Sequence, residues 1–166
     1  VNRDDTLLAL LETHGDALRR IARFHAGSDG EEDDLHQEIL LQVWRSLPSF
    51  RGDAAPGTWL YRVALNTALS WRRRAHRRDA AAAASLDLGP ERRSAGAVRG
   101  DAEAEILADF LGTLRGPDRS VLLLYMEGLS YREIADVTGL GESAVGVRIH
   151  RMKRAFTARY VETEGS

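Results

Sequence analysis

"LSYREIADVTGLGESAVGVRIHRMKRAF", Leu129 to Phe156, decides the fold. Ser130 and Glu133 have the S-x-x-E spacing of a capping box, in which a hydroxyl and a carboxylate satisfy backbone N–H groups at a helix start. Ile134, Ala135 and Val137 give the helix that follows an apolar side. Gly139 then suits the positive φ of a sharp helix exit. A second helix is expected to begin near Glu142 or Ser143, and Val145, Ile149, Met152 and Phe156 recur on its inward face. Its other faces carry Ala144, Gly146, Val147, Arg148, His150, Arg151, Lys153 and Arg154. Cap, turn, small residues and basic face in this order predict a helix-turn-helix whose second helix suits the DNA major groove. A plain helical hairpin with a solvated basic face would leave that order unexplained. "GLGESAVG", Gly139 to Gly146, follows a helix rather than a strand, so it lacks the context of a nucleotide-binding loop.

Charge is segregated along the 166 residues, although the formal net charge is only −2. Ala26 to Trp44 holds six acids (Asp29, Glu31, Glu32, Asp33, Asp34, Glu38) and neither Arg nor Lys. Arg62 to Arg78 holds six Arg and no acid, and Ser143 to Val161 holds five cations and no acid. One such run is usually a solvated helix face; three separated runs favour two kinds of partner. Lys153 is the one Lys among 23 cations, a bias that suits phosphate contacts but that GC-rich coding also produces.

Outward from the motif, the periodicity is helical. Arg3 to Phe24 is expected to be a helix on Leu7, Leu11, Leu18 and Ile21. Asp33 or Asp34 can cap a second, with Leu35, Ile39, Val43 and Leu47 inward and Pro48 at its end. "FRGDAAPG", Phe50 to Gly57, has the composition of a loop. Thr58 can cap a third helix running to about Arg78, with Leu60, Ala64, Thr67 and Trp71 inward. Asp79 to Asp101 has no apolar period and is expected to be mostly linker, with its Ala run prolonging the third helix. Two further helices are expected over Glu103–Leu114 and from Pro117 through Met126. The fold class is therefore all-α, two small helical domains joined by a flexible linker: 1–79, linker 80–100, and 101–162.

Other classes of protein are disfavoured. With no cysteine there is no disulfide framework or thiolate chemistry. No apolar run reaches the ~18 residues of a membrane span, and the first residues lack the order of a signal peptide, so a cytoplasmic chain without membrane insertion is expected. There is no P-loop, no clustered metal-ligand set and no complete nucleophile motif; an enzyme is not expected, nor a cofactor or metal.

"DDLHQEILLQVWRSLPSFRGDAAPGTWLYRVALNTALSWRRRAHRR", Asp33 to Arg78, resembles sigma domain 2 of the extracytoplasmic-function sigma factors of bacterial RNA polymerase, and the helix-turn-helix resembles their sigma domain 4. The resemblance covers most of Leu7 to Tyr160. It implies that Asp34, Leu35, Gln37, Glu38, Leu41 and Trp44 dock on core RNA polymerase. It implies that the loop and third helix read and melt the −10 element of promoter DNA, through Arg51, Gly52, Ala54, Tyr61, Asn66, Arg73 and Arg74. The −35 readers are then Ser143, Gly146, Val147, Arg148, His150, Arg151 and Arg154. Regulation by an anti-sigma factor is a further implication of the family. Trp59 is read as core, Trp71 is open between core and DNA, and Asn66 is either a DNA contact or a satisfied structural amide. Gly146 and Val147 replace the basic residue and Ser of many family members, while Pro56 and Gly57 stand where the specificity loop often carries bulkier residues. The alternative function is a conventional helix-turn-helix regulator that binds duplex DNA unaided, which would leave the acidic helix without a role.

Overall fold

A computed structural model describes residues 2–86 and 102–161. They fall into two compact units, one within Val1–Gly96 and one within Ala97–Ser166. Among the described residues there are helices and no strands.

In the first unit, helices α1 (Arg3–His25), α2 (Asp29–Ser46) and α3 (Pro56–Leu86) pack pairwise against one another, and a short 3-10 turn, Leu47–Ser49, follows α2. The core is one stripe from each helix: Leu18, Ile21 and Ala22; Leu35, Ile39 and Val43; Leu60, Ala64 and Ala68. Small side chains on α3 let the other helices approach closely. Burying each of the larger aliphatic side chains stabilises the unit by about 1.5–3 kcal/mol before chain entropy is set against it.

Three expectations are corrected here. The cap of α2 is Ser28, whose Oγ accepts the Glu31 N–H, so the helix begins before Asp33 and Asp34. The third helix starts at Pro56, with the Ala55 carbonyl accepting the Trp59 N–H, and Thr58 is buried inside it rather than capping it. Proline suits that first turn because it has no N–H to leave unbonded. Thr67 turns its hydroxyl back to the Val63 carbonyl at 2.8 Å, and Ala68 takes the core position instead. The Ala run continues α3 through Leu86, while the expected linker from residue 87 onward lies outside the described residues.

The second unit consists of α4 (Ala102–Thr113), α5 (Pro117–Met126), α6 (Tyr131–Thr138) and α7 (Glu142–Phe156), followed by a π turn, Thr157–Val161. The capping box is present: Ser130 Oγ accepts the Glu133 N–H at 3.1 Å, and Glu133 Oε2 accepts the Ser130 N–H at 2.7 Å. Gly139 closes α6 at φ 78°, where a side chain would be strained. Ile134, Val137, Val145, Ile149 and Met152 are buried with Leu111, Val121 and Leu124. Phe156 is half-buried edge-on to Phe110, with ring centroids 5.3 Å apart. Arg119 reaches back from α5 to donate to the Leu111 and Leu114 carbonyls, closing the end of α4.

Candidate polymerase and promoter interfaces

Helical geometry sorts the α2 residues. Leu35 repeats with Ile39 and Val43 every four positions and is fully buried. Its assignment as a polymerase contact is therefore corrected: it anchors the helix from beneath. Asp34, Gln37, Leu41 and Trp44 are exposed and Glu38 is half-exposed, accepting from Gln42 Nε2 at 3.3 Å.

The acidic run does not act as one face. Glu31 accepts the Gly27 N–H at 2.9 Å. Glu32 lies 3.5 Å from Arg23, and Asp33 lies 2.7 Å from Arg19, both arginines of α1. Asp34 and Glu38 share α2 with Leu41 and Trp44. The Trp44 ring is fixed from α1: its Nε1–H donates to Asp4 Oδ1 at 3.0 Å, and the Arg3 guanidinium lies 4.7 Å from the ring centroid. Neither α1 residue is legible as a partner of Trp44, since they lie 41 and 40 positions away.

On α3, Asn66 and Arg73 are two turns apart and both exposed, so they share a face. Arg73 donates to Ser70 Oγ at 3.0 Å, and exposed Arg74 lies 5.7 Å from the Trp71 ring centroid. Arg72 is half-buried, and loss of solvation lowers its pKa from the usual arginine value. Trp71 is half-buried, and its Nε1 has no hydrogen-bond partner among the described residues. Trp59 is also half-buried and packs on Phe50 with centroids 4.9 Å apart, which pins the loop to the base of α3. Arg51 and Gly52 of that loop are exposed and Ala54 is half-exposed; Gly52 takes φ 80°.

Tyr61 is a second correction. It is 6% exposed, its hydroxyl is 3.2 Å from His14 Nδ1, and the two rings meet edge-on. It therefore braces α3 against α1, with its ring turned into the core rather than to the surface. The same His14 lies over Gly57: a Cβ there would lie 3.0 Å from the His14 ring, so a larger residue would require that ring to shift. Nothing in the sequence pattern pointed to His14, whose partners are 47 and 43 residues away.

On α7, Gly146, Val147, His150, Arg151 and Arg154 line one open depression of about 520 Å³. Val147, at 64% exposure, is the most exposed large apolar side chain among the described residues. Ser143 is exposed at the helix start. Gly146 lies against Tyr131 of α6. Two cations are drawn aside: Arg148 Nη1 lies 2.6 Å from Asp118 Oδ1, and Lys153 Nζ donates to Tyr125 Oη at 2.6 Å, a bond that raises its pKa.

The arrangement pairs a helical unit bearing an acidic, partly apolar surface with a capped helix-turn-helix presenting a basic depression. Residues 10–78 match the family model for sigma-70 region 2, and residues 104–156 that for sigma-70 region 4. The ECF RNA polymerase sigma-E factor of Escherichia coli K12 is 31% identical over 138 residues, covering 76% of this chain and 72% of the relative. That of Haemophilus influenzae is 33% identical over 131 residues, covering 72% and 69%. The chain belongs to the ECF sigma factors. It is an RNA polymerase sigma factor that recognises promoters. Among solved structures, CnrH in complex with the cytosolic domain of CnrY aligns with this sigma factor at a TM-score of 0.66 and 28% identity, over 93% of this chain and 87% of that one. The sigma factor RpoE of Bartonella quintana, in complex with the anti-sigma factor NepR, shares the fold at a TM-score of 0.73 and 21% identity, over 93% and 94%. Among the described residues, no helix is long and apolar enough to cross a membrane.

Proposed function

We propose that this sigma factor divides its work by unit. Domain 2, residues 1–79, binds core polymerase through Asp34, Gln37, Glu38, Leu41 and Trp44. The loop and the exposed face of α3, with Arg51, Gly52, Ala54, Asn66, Arg73 and Arg74, take the melted −10 strand. Domain 4, residues 101–162, lays α7 in the −35 major groove, and residues 80–100 connect the two. The observation that carries this reading is the depression of about 520 Å³ on α7, in which an exposed methyl-bearing side chain sits among Arg and His, groups of the kind that read base edges. The reaction catalysed is the polymerase's own, the protein acts in the cytoplasm, and an anti-sigma protein holds it inactive.

The test is affinity for core polymerase, followed by transcription from a promoter library at fixed salt. Glu38→Arg reverses a negative charge on the proposed docking surface and should weaken polymerase binding by about tenfold, ~1.4 kcal/mol, at unchanged helicity. Unchanged affinity would remove α2 from the interface. Selective binding of duplex DNA by the free chain, without polymerase binding, would support the conventional regulator instead.

A further inference from the structure

We infer that Asp118, on α5, sets the charge and aim of the DNA-reading helix by holding Arg148 away from the DNA and steadying Arg151. The inference rests on α7 being the −35 reader. Asp118 Oδ1 lies 2.6 Å from Arg148 Nη1, and Asp118 Oδ2 lies 3.5 Å from Arg151 Nη2. The two arginines are three residues apart on one helix, so a single carboxylate spans them. Exposure separates their roles. The Asp118 and Arg148 side chains are 20% and 29% exposed, so their pair is shielded from salt and competing water; Arg151 is 62% exposed. Arg148 is also absent from the depression that Arg151 and Arg154 line.

Two consequences follow. Arg148, although a cation of the reading helix, is neutralised within the protein and adds no phosphate contact. Arg151 keeps a free guanidinium edge for DNA while its other edge is oriented by Asp118, which narrows the directions in which it can donate. Asp118 is thus a positioning residue. It exchanges one unit of sequence-independent attraction for discrimination between bases, because phosphate contacts carry no sequence information.

The test uses holoenzyme reconstituted from the full chain, with promoter binding measured between about 50 and 200 mM salt on a selected and a scrambled −35 sequence. Asp118→Asn should release Arg148, steepen the log–log salt dependence by about 0.9, the value of one phosphate contact, and lower the ratio of selected to scrambled affinity. A purely structural role for Asp118 would weaken both duplexes without steepening the slope. An unchanged or shallower slope in a folded Asp118→Asn protein overturns the inference. Should that variant melt early, Arg148→Gln gives an independent reading: an Arg already held on Asp118 contributes no contact, so the slope should stay as it is. A loss of about 0.9 there would also overturn it. Arg154→Ala separates the two levels, because it should cut the slope whether or not Asp118 matters. If Arg154→Ala and Arg151→Ala both leave promoter binding untouched, α7 is not the reader.

Discussion

Replacing Tyr61 by Phe removes one hydroxyl and leaves the ring, so it asks whether that hydroxyl braces α3 or touches DNA. The ring is 6% exposed, and its burial and edge-on contact with His14 survive the change. What is lost is the part-buried hydrogen bond of 3.2 Å to His14 Nδ1. A neutral bond of this kind contributes about 0.5–1.5 kcal/mol net. For a unit of this size, about 1 kcal/mol corresponds to a fall in melting temperature of about 4–8 °C. The assay is unusually clean, because Trp44, Trp59 and Trp71 are the chain's three tryptophans and all lie in the first unit. Tryptophan fluorescence therefore follows the melting of that unit alone. The expected result is a lowered transition with promoter opening by the folded protein unchanged. An unchanged melting temperature with impaired opening would refute the buried brace and return the hydroxyl to the DNA.

Two further outcomes are expected. Gly146→Ala should stabilise α7 by up to ~1 kcal/mol, since the new Cβ makes ordinary contact at 3.4 Å with the Tyr131 ring. Slower hydrogen exchange along α7 would record this, and weaker promoter binding despite the added stability would mark Gly146 as the point of close DNA approach. Burial, with a smaller contribution from Arg19, lowers the His36 pKa from 6.5. The unfolded chain then takes up the proton first as pH falls, so stability is full above about 6.5 and declines from there down to the lowered folded value. Urea titrations at about pH 7.5 and 5.5 should show that decline, and His36→Gln should reduce it; an identical decline in the variant would assign it to other groups.

Local interactions were legible because their partners lie within a few residues. The capping box at Ser130 and Glu133, the exit at Gly139 and the inward series Val145, Ile149, Met152 and Phe156 all follow from one helical turn of geometry. The same reach explains the slips. A cap competes with other nearby caps: Ser28 takes that role, and Glu32 and Asp33 instead pair with arginines of α1. Resemblance to the family implies stretches of residues for polymerase docking and −10 reading without separating helix faces, and the buried faces hold Leu35 and Tyr61.

Two all-α units, the helix-turn-helix and the basic character of its second helix were readable from residue order, because capping, periodicity and charge are written in short spacings. The tertiary structure alone decided which polar groups remain available. Asp4 and Trp44, His14 and Tyr61, and Asp118 and Arg148 meet across 40, 47 and 30 residues. Such pairings depend on how helices cross, and crossing is set by the summed packing of whole core stripes rather than by any spacing along the chain.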